Sequence, residues 1–263
     1  MILIAVVSAS LRAQTGLPPM LRQVGIQQRL GGQIPLDLRF RNERNEVVRI
    51  GDYFGERPVV LALVYYECPM LCTQVLNGLA GALRAVPMEP GEQFDILAIS
   101  FNAKETAELA ARKKETYLER YGRASAGKGW HFLTGDQEPI DRLAGSVGFR
   151  YSYDPASRQF AHASGIMVLT PDGKISRYLP GIEYDPRDLK LALLEASGGR
   201  IGSPADRLLL YCYQYDPATG KYGPVIMNLV RLSAIATVLA LAALMLLLRR
   251  KSAQPADSEF GGN

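Results

Sequence analysis

Cysteine, histidine and tryptophan are scarce in this chain of 263 residues, which holds three, two and one of them. Any thiol or imidazole chemistry must therefore be built from very few positions. The formal net charge is only +4 and no basic block stands outside the C-terminal tail, so nothing points to a nucleic acid partner. There is no internal repeat, which excludes a solenoid or propeller. With 48% apolar residues, the chain can fill one globular domain of roughly 150 to 200 residues and carry appendages.

Two appendages are expected. "MILIAVVSASLRAQ" has an apolar core of signal-peptide length, with small residues at Ala9 and Ala13, but no basic leader before it. Residues 1–13 therefore read as a signal peptide that begins late, with a first buried strand as the alternative. Residues 225–248 form a 24-residue apolar stretch with one charge, Arg231. As a helix it would rise about 36 Å, enough to span a bilayer. Arg249, Arg250 and Lys251 follow at once, so the positive-inside rule puts the tail, 249–263, in the cytoplasm. The expectation is a single-pass inner (cell) membrane protein whose domain faces the periplasm or an equivalent extracytoplasmic space.

Between the appendages, residues 14–33 read as an N-terminal arm and 198–224 as a linker and juxtamembrane segment. The domain, 34–197, begins with a hairpin: Ile34, Leu36, Leu38 and Phe40 alternate, "RNERNE" turns, and Val47 and Val48 resume. "RPVVLALVYY" and "FDILAISF" are continuous apolar runs of strand length, as buried central strands require. A helix with the stripe Leu71, Val75, Leu76, Leu79 and Leu83 follows the first, with Pro69 at its first position and Cys68 as its N-cap. The second leads into a helix capped by Asn102, with Glu105 three residues on, that ends at Gly122. "WHFLTG" is a short strand or turn and "QEPIDRLAGSVG" a short helix. "GIMVLTPDGKISRYL" is two strands around a Pro-Asp-Gly turn, and "DPRDLKLALLEAS" a last helix burying Leu189, Ala192, Leu193 and Ala196. This order predicts an α/β fold: a thioredoxin-like mixed sheet with helices on both faces, plus the C-terminal transmembrane helix.

The chemistry centres on "YYECPMLCTQ", where Cys68 and Cys72 stand four apart at a helix start. That spacing puts both sulfurs on one face of the first turn, and the positive helix end favours thiolates. It is a poor disulfide geometry and would close a trivially short loop. Paired thiolates there suit either Cu(I) or a redox couple, so spacing leaves the choice open. His162, in "QFAHASGIMVL", precedes a strand of the second half. In a thioredoxin-like fold the loop there passes over the start of the cysteine helix, so the imidazole could approach both sulfurs and complete a three-donor copper site.

"ECPMLCT" after a strand and "AHASGIMVLTPDGK" before one resemble the SCO/SenC family of thioredoxin-fold copper-binding proteins, which assist assembly of the CuA centre of cytochrome c oxidase. The resemblance spans about residues 30 to 197. It implies Cys68, Cys72 and His162 as ligands of copper, Cu(I) or Cu(II). It also implies, as partners, the CuA subunit or another copper-requiring client and a thioredoxin-like reductant. The chain departs from the family in having Met70 between the cysteines, Thr73 after them, "FNAKET" where an acidic "DPxxDT"-like stretch is usual, and its anchor at the C-terminus.

A second reading is a thiol-disulfide oxidoreductase, with Cys68 attacking and Cys72 resolving. Against it stand the CxxxC spacing and the histidine where thioredoxins carry a cis-proline; Pro155 is seven residues away. A peroxidase would need an activating Thr and Arg, and no such set is evident. Met70 is offset from both cysteines and suits capping or packing. His131 and Trp130 read as structural. Cys212 reads as a buried thiol, with accessory ligand or third redox thiol as the alternative.

Overall fold

The computed structural model describes residues 24–68, 71–201, 215–216, 221–222, 232–235, 237–239, 241–243 and 245; the side chains of Leu71, Cys72, Ala124 and Ser125, and of residues 215–216 and 221–222, lie outside the description. The expected signal peptide, the tail, Met70 and Cys212 fall outside these residues. The chain divides into two compact units, Met1–Ala205 and Asp206–Asn263.

In the first unit, β1 (Gly25–Ile26) precedes a hairpin of β2 (Arg39–Arg41) and β3 (Val47–Arg49), then β4 (Val59–Val64) and α1 (Leu71–Ala85). There follow β5 (Asp95–Ser100), α2 (Ala107–Tyr121), β6 (Trp130–Leu133), α3 (Gln137–Ser146), β7 (Phe149–Asp154), β8 (Gln159–His162), β9 (Gly165–Leu169), β10 (Ile175–Pro180) and α4 (Pro186–Ser197). The main sheet has the order β10-β9-β4-β5-β6. Strands β4, β5 and β6 run parallel, while β9 is antiparallel to β4 and β10 to β9. Every residue of β4, β5 and β9 is buried, which requires cover on both faces. α1 packs against α2, α4 and β4, α2 against β6, and α4 against β9 and β10. The expected parallel half and antiparallel hairpin are both present.

The apolar stripes act as their spacing demands. Val75, Leu76, Leu79 and Leu83 of α1 are buried, as are Leu189, Ala192, Leu193 and Ala196 of α4. At about 25 cal/mol per Å², such side chains contribute about 2 kcal/mol each when fully withdrawn from water. α1 approaches its neighbours closely at Gly78, where a Cβ would lie 1.8 Å from the Ile182 carbonyl oxygen. Trp130 and Phe132 stack at 6.0 Å in the core, so Trp130 is structural as expected.

Several local expectations change. "WHFLTG" is a full member of the sheet, since β6 pairs with β5 from Ile96 to Ile99. The first hairpin is shorter than its alternation suggests, because residues 34–38 make irregular contacts: Ile50 and Gly51 donate to the Leu38 and Leu36 carbonyls. α2 begins later than expected. Its N-cap is Thr106, whose hydroxyl accepts from the Leu109 amide, and Asn102 instead closes a turn by accepting from the Lys104 amide. Gly122 ends α2 as expected, at φ 77°, in the left-handed region. A second sheet, of order β1-β7-β8, was not anticipated. Its β1 comes from the arm, whose later residues also join β10, with Gly31 donating to Ile175 and Ile175 to Gly32.

In the second unit, β11 (Tyr215–Asp216) pairs antiparallel with β12 (Lys221–Tyr222). Helical residues between 232 and 245 follow, exposing Leu232, Ile235, Val238, Leu239, Leu241 and Met245. Among the described residues no helix is long and apolar enough to cross a membrane, and much of the expected span, 225–248, lies outside them.

Candidate metal centre

Cys68 sits just beyond β4, on a turn in which its amide donates to the Tyr65 carbonyl at 3.3 Å. It is buried, 7% exposed. The chain reaches this turn under tight control. Tyr66 points its ring into the sheet, where its hydroxyl is shared between the Ala98 and Leu133 carbonyls, both at 2.8 Å. Burial, reinforced by the Glu105 charge, raises its phenol well above the usual range. The amides of Tyr66 and Glu67 both donate to one carboxylate, that of Glu105, at 2.7 and 2.8 Å. Beyond the turn, the Thr73 hydroxyl donates to the Cys68 carbonyl at 3.2 Å. Cys72 is the second residue of α1, and its side chain is not described.

His162 ends β8, opposite Tyr151 of β7, and is 8% exposed. Its ring lies among aromatic side chains, with centroids 5.2 Å from Phe101, 5.9 Å from Tyr65 and 6.2 Å from Phe149. Nδ1 is 2.8 Å from the Ala163 carbonyl oxygen. A carbonyl only accepts, so Nδ1 is the donor in this contact, and in the neutral ring the lone pair then falls on Nε2. That is how metal-binding imidazoles are usually oriented. Tyr65 touches two of the three expected ligands: its carbonyl accepts from the Cys68 amide and its ring packs nearly perpendicular to that of His162. Thiolate sulfur and an imidazole nitrogen are donor types that suit a soft or borderline ion such as copper. Among the described residues no group of three or more His, Cys, Asp or Glu converges as a metal site.

A cleft of about 700 Å³ opens beside these residues, lined among others by Tyr65, Glu67, Lys104, Tyr153 and Phe160. His131 lies elsewhere, on β6 against the Tyr53 ring at 4.5 Å.

The sequence reading missed two features. Glu105 has the spacing of a helix cap in the sequence, but its carboxylate turns inward, 7% exposed, and also accepts from the Ser100 hydroxyl at 2.6 Å. The signal was Thr106, a better-placed cap one residue on, which released Glu105 for another role. The β7–β8 hairpin that carries His162 was also missed, although Phe149, Tyr151 and Tyr153 alternate and "DPASR" supplies a turn.

The fold and the candidate residues define a class: a thioredoxin-like domain with a cysteine pair where the first central strand meets its helix, and a histidine at the end of a hairpin that packs against Tyr65, just before the first cysteine. The SCO1/SenC family model matches residues 28–195, and the chain belongs to that family. Among solved structures, a putative electron transfer protein from Aquifex aeolicus VF5 aligns with a TM-score of 0.57 at 24% identity, covering 65% of this chain and 95% of that one. ScoI of Arabidopsis thaliana, solved with copper bound, aligns at 0.51 and 16% identity over 65% of this chain and 99% of its own. A SCO1/SenC family lipoprotein from Bacillus anthracis str. Ames aligns at 0.52 and 13%, over 66% and 99%. At these identities the likeness concerns the fold. No curated protein sequence matches the chain.

Proposed function

We propose that this protein is a membrane-anchored extracytoplasmic copper carrier that holds one copper ion through Cys68, Cys72 and His162 and serves assembly of the CuA centre of cytochrome c oxidase. The observation that carries the reading is the orientation of His162, whose Nδ1 proton is committed to the Ala163 carbonyl while Tyr65 links the ring to the Cys68 turn. Family membership and the copper-bound Arabidopsis relative support the choice of metal. The two thiolates suit Cu(I), and the imidazole extends the set to Cu(II). The exposed apolar side chains of residues 232–245 support the anchor, which would keep the domain beside a membrane-bound client.

The test is an anaerobic titration of the reduced protein with Cu(I) and, separately, Cu(II), reading bound metal and free thiols together. The expected result is one equivalent, lost in Cys68→Ala. Failure to bind copper tightly, together with fast disulfide exchange at the same thiols, would replace the carrier by a thiol-disulfide oxidoreductase.

A further inference from the structure

Backbone amides at the end of a central strand must be satisfied once the ladder stops, and this chain satisfies two of them in an unusual way. Beyond Val64 the strand no longer has sheet partners, yet Tyr66 and Glu67 both donate to a side chain 38 or 39 residues away. Glu105 uses Oε2 for Tyr66 and for the Ser100 hydroxyl, and Oε1 for Glu67. Ser100 is itself fully buried at the end of β5, and its oxygen also accepts from the Asn102 amide at 3.1 Å. Thus one buried carboxylate ties the end of β4 to the end of β5. A carboxylate withdrawn from water is costly, and a neutral cap could satisfy a strand end. What a carboxylate adds is two charge-assisted acceptors in one rigid plane, fixing two successive peptide units together.

The peptide after Glu67 is that of Cys68. We propose that Glu105 is a positioning residue: by clamping the amides of Tyr66 and Glu67 it sets the direction in which the chain leaves β4, and so holds the Cys68 sulfur on the His162 side of the turn. This rests on the copper reading only for its consequence; the clamp itself concerns the metal-free protein. Glu105 touches neither cysteine nor histidine in any contact described above, so its effect travels through backbone. Tyr66 makes the lever stiff, because its hydroxyl is pinned between β5 and β6 while its amide is pinned by the carboxylate.

The experiment compares the reduced, copper-free, full-length protein with Glu105→Gln, Ser100→Ala and a control, Asp95→Asn, which alters another buried carboxylate, at the far end of β5. Three readouts are taken: amide exchange at Tyr66 and Glu67, site-resolved alkylation of Cys68 by iodoacetamide, and the Cu(I) dissociation constant. Loss of a hydrogen bond to a charged group in Glu105→Gln should speed exchange at both amides by about tenfold or more. Cys68 alkylation should accelerate and Cu(I) binding weaken in the same variant, with a smaller change of the same sign in Ser100→Ala and none at these amides in Asp95→Asn. Wild-type exchange and alkylation in Glu105→Gln, or equal acceleration in the Asp95 control, would overturn the proposal. Should Glu105→Gln fail to fold, Ser100→Ala decides, and unchanged exchange there overturns it as well. If the wild type binds no Cu(I) while exchange and alkylation respond as expected, the clamp stands and the copper reading falls alone.

Discussion

Acidification should weaken this fold through His131, and the size of the loss can be worked out. The imidazole lies in β6 under the Tyr53 ring, and its pKa is lowered from 6.5 to about 4. Burial is the main cause; Lys114, Arg57 and Arg44 push the same way, and Glu43 opposes them. The unfolded chain takes up this proton first, so the contribution is full above pH 6.5 and is lost as pH falls toward 4. A gap of about 2.5 pH units at about 1.4 kcal/mol each gives a loss of about 3 kcal/mol, a sizeable share of a typical domain's 5 to 15. Glu105 and Asp95 act in the opposite sense. Burial raises both carboxyls, so acid relieves their charge. The wild-type curve alone would blend these effects, and the difference from His131→Phe, which keeps a ring against Tyr53, removes the blend. Urea unfolding, followed by the single buried Trp130, is measured at steps from pH 8 to 4. The difference should move by about 3 kcal/mol against the wild type on acidification. A difference that stays flat, or that moves in the wild type's favour, would refute a buried neutral imidazole.

Two helix glycines should respond in opposite directions. Gly78→Ala drives a methyl into the Ile182 carbonyl and should cost at least about 2 kcal/mol in denaturation, whereas Gly81→Ala, with nothing within 4 Å, should gain up to about 1 kcal/mol. Arg57→Met removes the 2.9 Å partner of buried Asp95; because the Arg57 side chain is 34% exposed, the expected cost at neutral pH is about 2 kcal/mol rather than the 3 to 5 of a deeply buried pair. That cost should shrink in acid, since protonated Asp95 no longer needs a cation, and equal costs at pH 7 and 4.5 would contradict it. His162→Ala should weaken Cu(II) more than Cu(I) in competition titrations, and equal losses would contradict the role given to the imidazole. Removing residues 225–263 should release the protein from membranes on fractionation; continued sedimentation with them would show that the anchor lies elsewhere.

The parts of this fold that declare themselves in sequence are those governed by short-range rules. "VVLALV" and "DILAIS" can only be covered strands, and the Pro-Asp-Gly turn fixes its hairpin. Asp185, Pro186 and the leucines after them define α4, in which the Asp185 side chain accepts from the Arg187 amide. β6 was harder, because "WHFL" is too short to show a period and gains its place from pairing with β5. Of the candidate site, the sequence names Cys68 and His162 by type and position, and in the structure Tyr65 contacts each of them. Glu105 was not. Asn102 and Glu105 have capping-box spacing, and only the competition from Thr106, together with a strand end needing acceptors, sends the carboxylate inward. Such a choice depends on Tyr66, nearly forty positions away, which no local pattern contains.

Cys68 follows the main sheet and His162 ends an outer strand of the three-stranded one, whose other outer strand is Gly25–Ile26. On the copper reading proposed above, an ion held by both would act as a clasp across two separately hydrogen-bonded structures, and its affinity would include the work of keeping them closed. Release would then need no attack on a ligand. A client that grips the β7–β8 hairpin and draws it aside would loosen the metal from a distance, making unloading a mechanical consequence of docking.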